Sequence, residues 1–392
     1  MATKCNDSKR RDHKGRILKT GESQRADLIY QYRFTDIRGK RHCIYNADLK
    51  ALREEEKRIQ VQINMGIDYA GGNITVIELC KRYTDLRRIG VKRNTQLTFD
   101  KTLRHLERSD IGHKMIRDLK MTEVKQWFID MTIAGLSRST LKQIRGIMRP
   151  AYEMALQEDV VYKNPFNFSL DFIPDNSKSR DALSPEQQQK LLEFARTDPR
   201  SMQYYDLIVI LLGTGLRAAE LCGLTFDDLD FENRRIFVRR QLMRHPNGSR
   251  YIETPKSKHS NRVIPMSDEV YESLQRSIEV RAKPKEEVVV DGVSGFVFLN
   301  TKNGPRITMA ISKAVWQTVD RYNRKHEDQL PHTTAHHLRH SFCTNLIDSG
   351  MNPKNVQYLM GHASIHVTMN VYAHSNDSKA ADDFFHTFCH LK

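Results

Sequence analysis

Two breaks in residue patterning decide how this 392-residue chain can fold. Gly66, Gly71 and Gly72 interrupt it once, and Asn164, Pro165 and the polar run PDNSKSRDALSPEQ interrupt it again. From about residue 75 to residue 164 apolar positions recur with helical spacing and strand signals are almost absent. Before the first break short β-forming runs dominate, and after the second both patterns alternate. The chain therefore reads as multidomain α+β. A small three-stranded sheet plus a helix is expected over residues 1–65, and a helical domain over 75–168. A mixed, mainly helical domain with a small antiparallel sheet is expected over 180–392.

In the first segment, RILKT, LIYQYRF and HCIYN predict the three strands, with turns at Gly-Glu-Ser and Arg-Gly-Lys, and a helix follows from Ala47 through LKALREEEKRI. Charge is concentrated here: the first 41 residues hold twelve Lys or Arg against five acids. The whole chain has 63 Lys and Arg against 48 Asp and Glu, a net charge of +15 that favours a polyanionic partner and salt-sensitive binding. A basic front of this kind can be a solvated tail. Strands interleaved with Tyr30, Tyr32, Phe34 and Tyr45 point instead to a folded module whose sheet faces DNA.

The helical segment ends in SRSTLKQIRGIMRPAYEMALQED, where Leu141, Ile144, Met148, Ala151 and Ala155 share one face. Arg138, Lys142, Arg145 and Arg149 share another, with no acid along the helix before Glu153. Such a stripe is either a solvated surface or a row of phosphate contacts, and in so basic a chain the second reading gains weight. Pro150 removes one backbone donor and is expected to kink or divide the helix.

In the third segment Ser184, Pro185 and Glu186 open a helix, with Ser as cap and Pro at the first turn. Farther on, TAHHLRHSF packs His336, His337, Arg339 and His340 into five positions. His336 and His340 stand four apart, as paired zinc ligands do on a helix. But His337 occupies the place of a catalytic Glu, and Arg339 is a permanent cation beside the presumed ligands. An anion suits the cluster better, because His336 and Arg339, three apart, can converge on one phosphate.

Other boxes supply company for that pair. GTGLRAAEL places Arg217 after the apolar helix DLIVILLGTG, with Glu220 one turn away to orient it. A strand RIFVRRQLM, a turn at His245 to Ser249 and a return strand YIETP put Lys256 on or just past a hairpin. LMGHASIHVTMNVYAH carries His362 and, ten residues later, Tyr372. Glu220, His337 and His340 read as supporting residues.

Taken in order, Arg217, Lys256, His336, Arg339, His362 and Tyr372, inside GTGLRxxEL, TPKSxxSxRxIP, HxLRH and MGHxxxxxT boxes, resemble the catalytic set of the tyrosine recombinases, the phage-integrase family. The helical segment resembles that family's core-binding domain. The basic front resembles the sheet domain with which integrases of Gram-positive conjugative transposons bind arm-type DNA sites. The resemblance implies a site-specific recombinase that cuts and rejoins DNA through a 3′-phosphotyrosine, with neither metal, ATP nor other cofactor. It implies Tyr372 as nucleophile and Arg217 and Arg339 as phosphate grips. Lys256 would be the proton donor, with Lys258 as its alternative, His336 would assist proton transfer, and His362 would bond the phosphate. Implied partners are double-stranded DNA with core-type and arm-type sites, a homo-tetramer on that DNA, and excision and DNA-bending accessory proteins. The tyrosine commonly lies nine residues past the histidine box; here it lies ten, which implies a slightly longer segment carrying it. Beyond it, Ala380 or Ala381, Phe384, Phe385 and Phe388 form a helical stripe that either closes its own domain or docks on a neighbouring protomer.

Two other readings stay open at this stage: a type IB-like topoisomerase, which shares the chemistry, and a non-catalytic architectural DNA-binding protein. Six scattered cysteines without a C-x-x-C pair are expected as reduced thiols in the cytoplasm. No apolar leader or membrane-length run is present in the sequence, so neither export nor membrane insertion is expected.

Overall fold

Alternation along Tyr30–Thr35 sets the first layer. Tyr30, Tyr32 and Phe34 turn inward and pack with Leu18, Leu49, Leu52 and Ile59, while Arg33 and Thr35 face solvent. This comes from a computed structural model, which describes residues 10–37, 39–64, 72–175, 182–253 and 261–375. The chain forms two compact units, Met1–Lys178 and Ser179–Lys392.

In the first unit, β1 (Glu22–Gln24), β2 (Tyr30–Thr35) and β3 (Arg41–Asn46) form an antiparallel sheet in that order, backed by α1 (Leu49–Asn64). The first strand differs from expectation. Arg16–Thr20 makes only an isolated bridge, Ile17 to Arg11, and the strand falls on the residues read as a turn. Gly21 explains the shift: it takes φ +88°, and a Cβ there would lie 2.7 Å from the Arg33 carbonyl oxygen. The chain thus enters the sheet one residue later, and Glu22 turns inward to meet Arg53 of α1 at 2.8 Å. The aromatic residues also divide: Tyr30, Tyr32 and Phe34 build the core, and of those four only Tyr45, 54% exposed, lies on the open face with Arg33 and Arg41.

Five helices follow: α2 (Val76–Arg88), α3 (Arg93–Glu107), α4 (Asp110–His113), α5 (Met121–Ile133) and α6 (Arg138–Gln157). Thr75 and Glu78 close a capping box at the start of α2, and Ser137 caps α6. The apolar face read from the sequence is the buried one: Leu141, Ile144, Met148, Ala151 and Ala155 all join the helical core around Phe128 and Tyr152. α6 runs unbroken through Pro150. Buried Met148, Ala151 and Tyr152 hold the turns on both sides, so packing offsets the missing donor and the expected division does not occur.

The second unit begins with α7 (Pro185–Thr197), capped by Ser184 as expected. α8 (Tyr205–Thr214) is almost wholly apolar and buried, and packs against α10 (Asp268–Glu279) and α12 (Ala335–Asp348). Between them lie α9 (Ala218–Cys222) and five strands, β4 (Leu229–Asp230), β5 (Arg235–Val238), β6 (Gln241–Arg244), β7 (Arg250–Glu253) and β8 (Arg262–Pro265). The run RIFVRRQLM, expected as one strand, is two: β5 joins an antiparallel sheet ordered β4-β5-β8, and β6 pairs with β7 in a separate hairpin. Half-buried Arg240, paired with buried Asp228 at 3.0 Å, stands where the chain passes from one to the other. α11 (Thr308–Lys325), α13 (Pro353–Met360) and α14 (Ile365–Ser375) complete the unit, with α14 packed on α12 and α13. Cys43, Cys80, Cys222 and Cys343 are free thiols. Among the described residues no helix is long and apolar enough to cross a membrane.

Candidate active site

A left-handed residue ends α8. Gly215 takes φ +60°, with Phe342 packed so tightly over it that a Cβ would lie 2.3 Å from the ring. Two residues on, Arg217 is the N-cap of α9. Its backbone N–H donates to Glu220 Oε2 at 2.8 Å and its Nη1 to Glu220 Oε1 at 2.6 Å, so one carboxylate fixes both the main chain and the side chain. A third of the Arg217 side chain stays exposed, whereas that of Glu220 is fully buried.

Glu220 has a second cation. Arg262, the first residue of β8, is completely buried and donates Nη1 and Nη2 to the two Glu220 oxygens at 3.1 and 2.9 Å. Burial alone would raise the Glu220 pKa. The hydrogen bonds from Arg262, then the charges of Arg262, Arg217 and Arg339, outweigh it and bring the pKa down to about 2.

Arg339, on the first turns of α12, is 3% exposed and reaches the ends of two helices. Its Nη1 donates to the Gly215 carbonyl at the end of α8, and its Nη2 to the Met360 carbonyl at the end of α13. Burial, then repulsion by Arg217, lowers its pKa to about 9, still high enough to keep it cationic at neutral pH. Helix C-termini present carbonyls with no partner in the helix and a negative dipole end, a setting that stabilises cations.

The end of α13 gathers the arginines. Arg262 Nε donates to Leu359 O at 2.6 Å, Arg339 to Met360 O, and Arg217 Nη2 to Gly361 O at 2.9 Å. Three consecutive carbonyls thus hold three guanidiniums from β8, α12 and the α9 cap. Gly361, left-handed at φ +60°, ends the helix, and His362 follows. The His362 Nδ1 lies 2.9 Å from the Thr368 hydroxyl. Burial, then Arg339, Arg217, Arg262 and His336, lower the His362 pKa to about 4, so its ring is neutral near pH 7.

His336 sits exposed on the first turn of α12, close enough to act on His362. His337 instead caps that helix, its Nδ1 2.9 Å from the Thr334 hydroxyl. Tyr372 belongs to α14, four residues after Thr368; its side chain lies outside the described residues. Lys256, Lys258 and the stripe from Ala380 to Phe388 also lie outside them. Arg217, Arg339 and His362, from three distant stretches, are brought together. Three guanidiniums against one carboxylate leave two positive charges in excess, an arrangement able to hold an oxyanion while its charge grows.

In the other unit the basic stripe of α6 is less bare than its own helix implies. Arg138 pairs with Asp171 at 3.1 Å and Asp175 at 3.6 Å, acids supplied by the segment after the helix. Arg145 donates to Phe166 O at 3.2 Å and lies over the Phe168 ring; burial, then Arg149, lowers its pKa. Arg149 bonds Asn167 at 2.8 Å, and Lys142 is exposed.

Sequence reasoning missed Arg262 and Thr368. Arg262 is the arginine of the TPKSxxSxRxIP box and stands two residues before buried Ile264 in a strand, so period-two spacing puts both on the core-facing side; those were its available signals. Thr368 had none beyond its place in the MGHxxxxxT box.

Two family models match the chain. Residues 181–379 match the phage integrase family, and residues 6–63 match the DNA binding domain of the Tn916 integrase. The transposase from transposon Tn916 of Enterococcus faecalis is 40% identical over 389 residues, covering 95% of this chain and 96% of that one. The transposase from transposon Tn1545 of Streptococcus agalactiae is similar to the same extent. Among solved structures, the Tn1549 transposon integrase in complex with a circular intermediate DNA is 39% identical, with a TM-score of 0.76 over 80% of this chain and 99% of that one. A lambda integrase tetramer bound to a Holliday junction shares the fold at 17% identity, with a TM-score of 0.55 over 89% of this chain and 97% of that one.

Proposed function

Since the chain belongs to the phage integrase family and is a tyrosine site-specific recombinase of a mobile element, we propose that Tyr372 cuts DNA by attacking a backbone phosphorus held between Arg217 and Arg339. The observation that carries this reading is the pair of bonds by which those arginines, 122 positions apart, reach the adjacent carbonyls of Gly361 and Met360, next to His362. Two fixed cations side by side suit two non-bridging oxygens of one phosphate.

Forming a phenolate at pH 7 from a group of pKa about 10 costs about 4 kcal/mol, so neighbouring cations and a proton acceptor must lower that cost. His336 would assist proton transfer near the phosphate. As the Tyr372 oxygen bonds to phosphorus, the bond to the 5′-oxygen breaks, and Lys256 protonates the leaving 5′-hydroxyl, with Lys258 as the alternative donor. Neutral His362 hydrogen-bonds the phosphate. The 3′-phosphotyrosine keeps the diester's energy, so the 5′-hydroxyl of a second DNA strand reverses the step and frees Tyr372 without ATP. The arginines supply the charge neutralisation that a metal ion provides elsewhere.

The rest of the chain fits delivery of DNA to this site. Residues 75–168 would hold core-type sites, with Arg138, Lys142, Arg145 and Arg149 on phosphates; residues 180–392 would be catalytic. Residues 1–65 would bind arm-type sites through the open sheet face that carries Arg33, Arg41 and Tyr45. Exchange between two duplexes needs four strand cleavages with one tyrosine each, hence a homo-tetramer on DNA, with excision and DNA-bending proteins setting direction. The expected place of action is the cytoplasm.

The test is a covalent complex with nicked core-site DNA. It should form without added metal, persist in chelator and vanish in Tyr372→Phe; no complex with the unmutated protein overturns the reading. Deleting residues 1–65 should abolish arm-site binding and leave core-site cleavage intact.

A further inference from the structure

We propose that Arg262 is a positioning residue for strand cleavage: it fixes Arg217 through Glu220 and ties that grip to the turn carrying His362. The inference rests on the recombinase reading and adds to it a residue that does not itself touch the phosphate.

Arg262 is placed to do two things at once. Its Nη atoms grip both oxygens of Glu220, leaving that carboxylate one orientation, and Glu220 in turn holds the Arg217 backbone and guanidinium. Its Nε holds Leu359 O, two residues from the carbonyl to which Arg217 is anchored. The Arg217 side chain is therefore pinned at both ends by groups that Arg262 itself pins. Packing gives the device little slack: a Cβ on Gly361 would lie 2.9 Å from Arg262 Nη1.

The position of Arg262 in the chain adds a further link. It opens β8. β8 pairs along its length with β5, Arg262 standing opposite Val238. A residue held in a paired strand braces the phosphate grip against the sheet. A guanidinium is suited to this, since its planar fork meets both carboxylate oxygens in parallel while Nε reaches the carbonyl, whereas an ammonium is a point charge without that fork.

A buried arginine can also be merely structural, so the test must separate the roles. We would compare Arg262→Lys, Arg217→Ala and the double variant in covalent-complex formation on nicked core-site DNA, with the unmutated protein and Tyr372→Phe as references. If Arg262 acts through Arg217, Arg262→Lys slows cleavage by about tenfold or more, while the double variant is no slower than Arg217→Ala alone. If Arg262 only stabilises the fold, the two losses multiply, and the inference is overturned. It is equally overturned if Arg262→Lys cleaves at the unmutated rate. A second substrate sharpens the reading: with one non-bridging oxygen replaced by methyl at the scissile phosphate, the penalty suffered by the unmutated protein should shrink in Arg262→Lys, because the Arg217 contact is already weakened. A general loss of stability slows both substrates alike. Should Arg262→Lys fail to fold by circular dichroism, Glu220→Gln carries the same cycle, breaking the charge that links Arg262 to Arg217 while keeping the side-chain shape. Absence of a covalent complex in the unmutated protein would instead refute the recombinase reading itself, so the two failures are distinguishable.

Discussion

Thr368, fully buried, holds His362 from within α14, its hydroxyl 2.9 Å from the imidazole Nδ1. Burial and the surrounding arginines keep this histidine neutral down to about pH 4. An unfolded histidine takes up its proton near pH 6.5, so acid favours the unfolded chain as pH falls from about 6.5 toward 4. Followed by NMR, the His362 ring should therefore show no titration between pH 5 and 8. Thr368→Val should lower cleavage and leave DNA binding unchanged; an inflection near pH 6.5 in the unmutated protein would refute the placement.

Glu220 contributes in the same direction, at lower pH. Its pKa is depressed to about 2, so its stabilisation is complete above an unfolded value near 4.5 and fades as pH falls toward 2. Glu220→Leu leaves Arg262 buried without its carboxylate, and should cost about 3–5 kcal/mol in denaturant unfolding of the second unit. Glu220→Gln should cost less, and its acid unfolding should lose part of its pH dependence in that window.

Gly215→Ala should be more damaging than its size implies. The new methyl would meet Phe342 at 2.3 Å in a left-handed backbone, and relief would move the carbonyl that holds Arg339. Cleavage should fall by about a hundredfold, roughly what one misplaced oxyanion donor costs. Equal loss in binding and cleavage would show disruption of the fold instead.

On α6 the two faces should separate cleanly. Met148→Ala, fully buried in the helical core, should destabilise the first unit by about 2–5 kcal/mol with little change in the salt dependence of DNA binding. Lys142→Ala should leave stability unchanged and weaken core-site binding, reducing the slope of log affinity against log salt by about one. An unchanged slope would remove Lys142 from the phosphate contacts.

Much of this was legible in the chain itself, where the physics is local. Ser184 before Pro185 marked a helix start, and the spacing of Leu141, Ile144 and Met148 marked a buried face, because caps and periodicity are set by neighbours. What escaped depends on partners far away in sequence. The acids on Arg138 come from Asp171 and Asp175, the arginine that locks Glu220 arrives 42 residues later, and the first strand moved because Gly21 packs against Tyr32 and Arg33. Pro150 misled for the same reason: its local cost is real, and tertiary packing overrides it.

Leu359, Met360 and Gly361 occupy a single helical turn, so whatever frays that turn loosens Arg262, Arg339 and Arg217 at once, leaving each only its anchor on Glu220 or Gly215. A protomer built this way couples its cations, so the grips of Arg217 and Arg339 tighten or slacken with one turn. Backbone hydrogen exchange at the end of α13 should therefore slow in step with the onset of cleavage competence when DNA is bound, making eight residues of helix the fuse of the whole reaction.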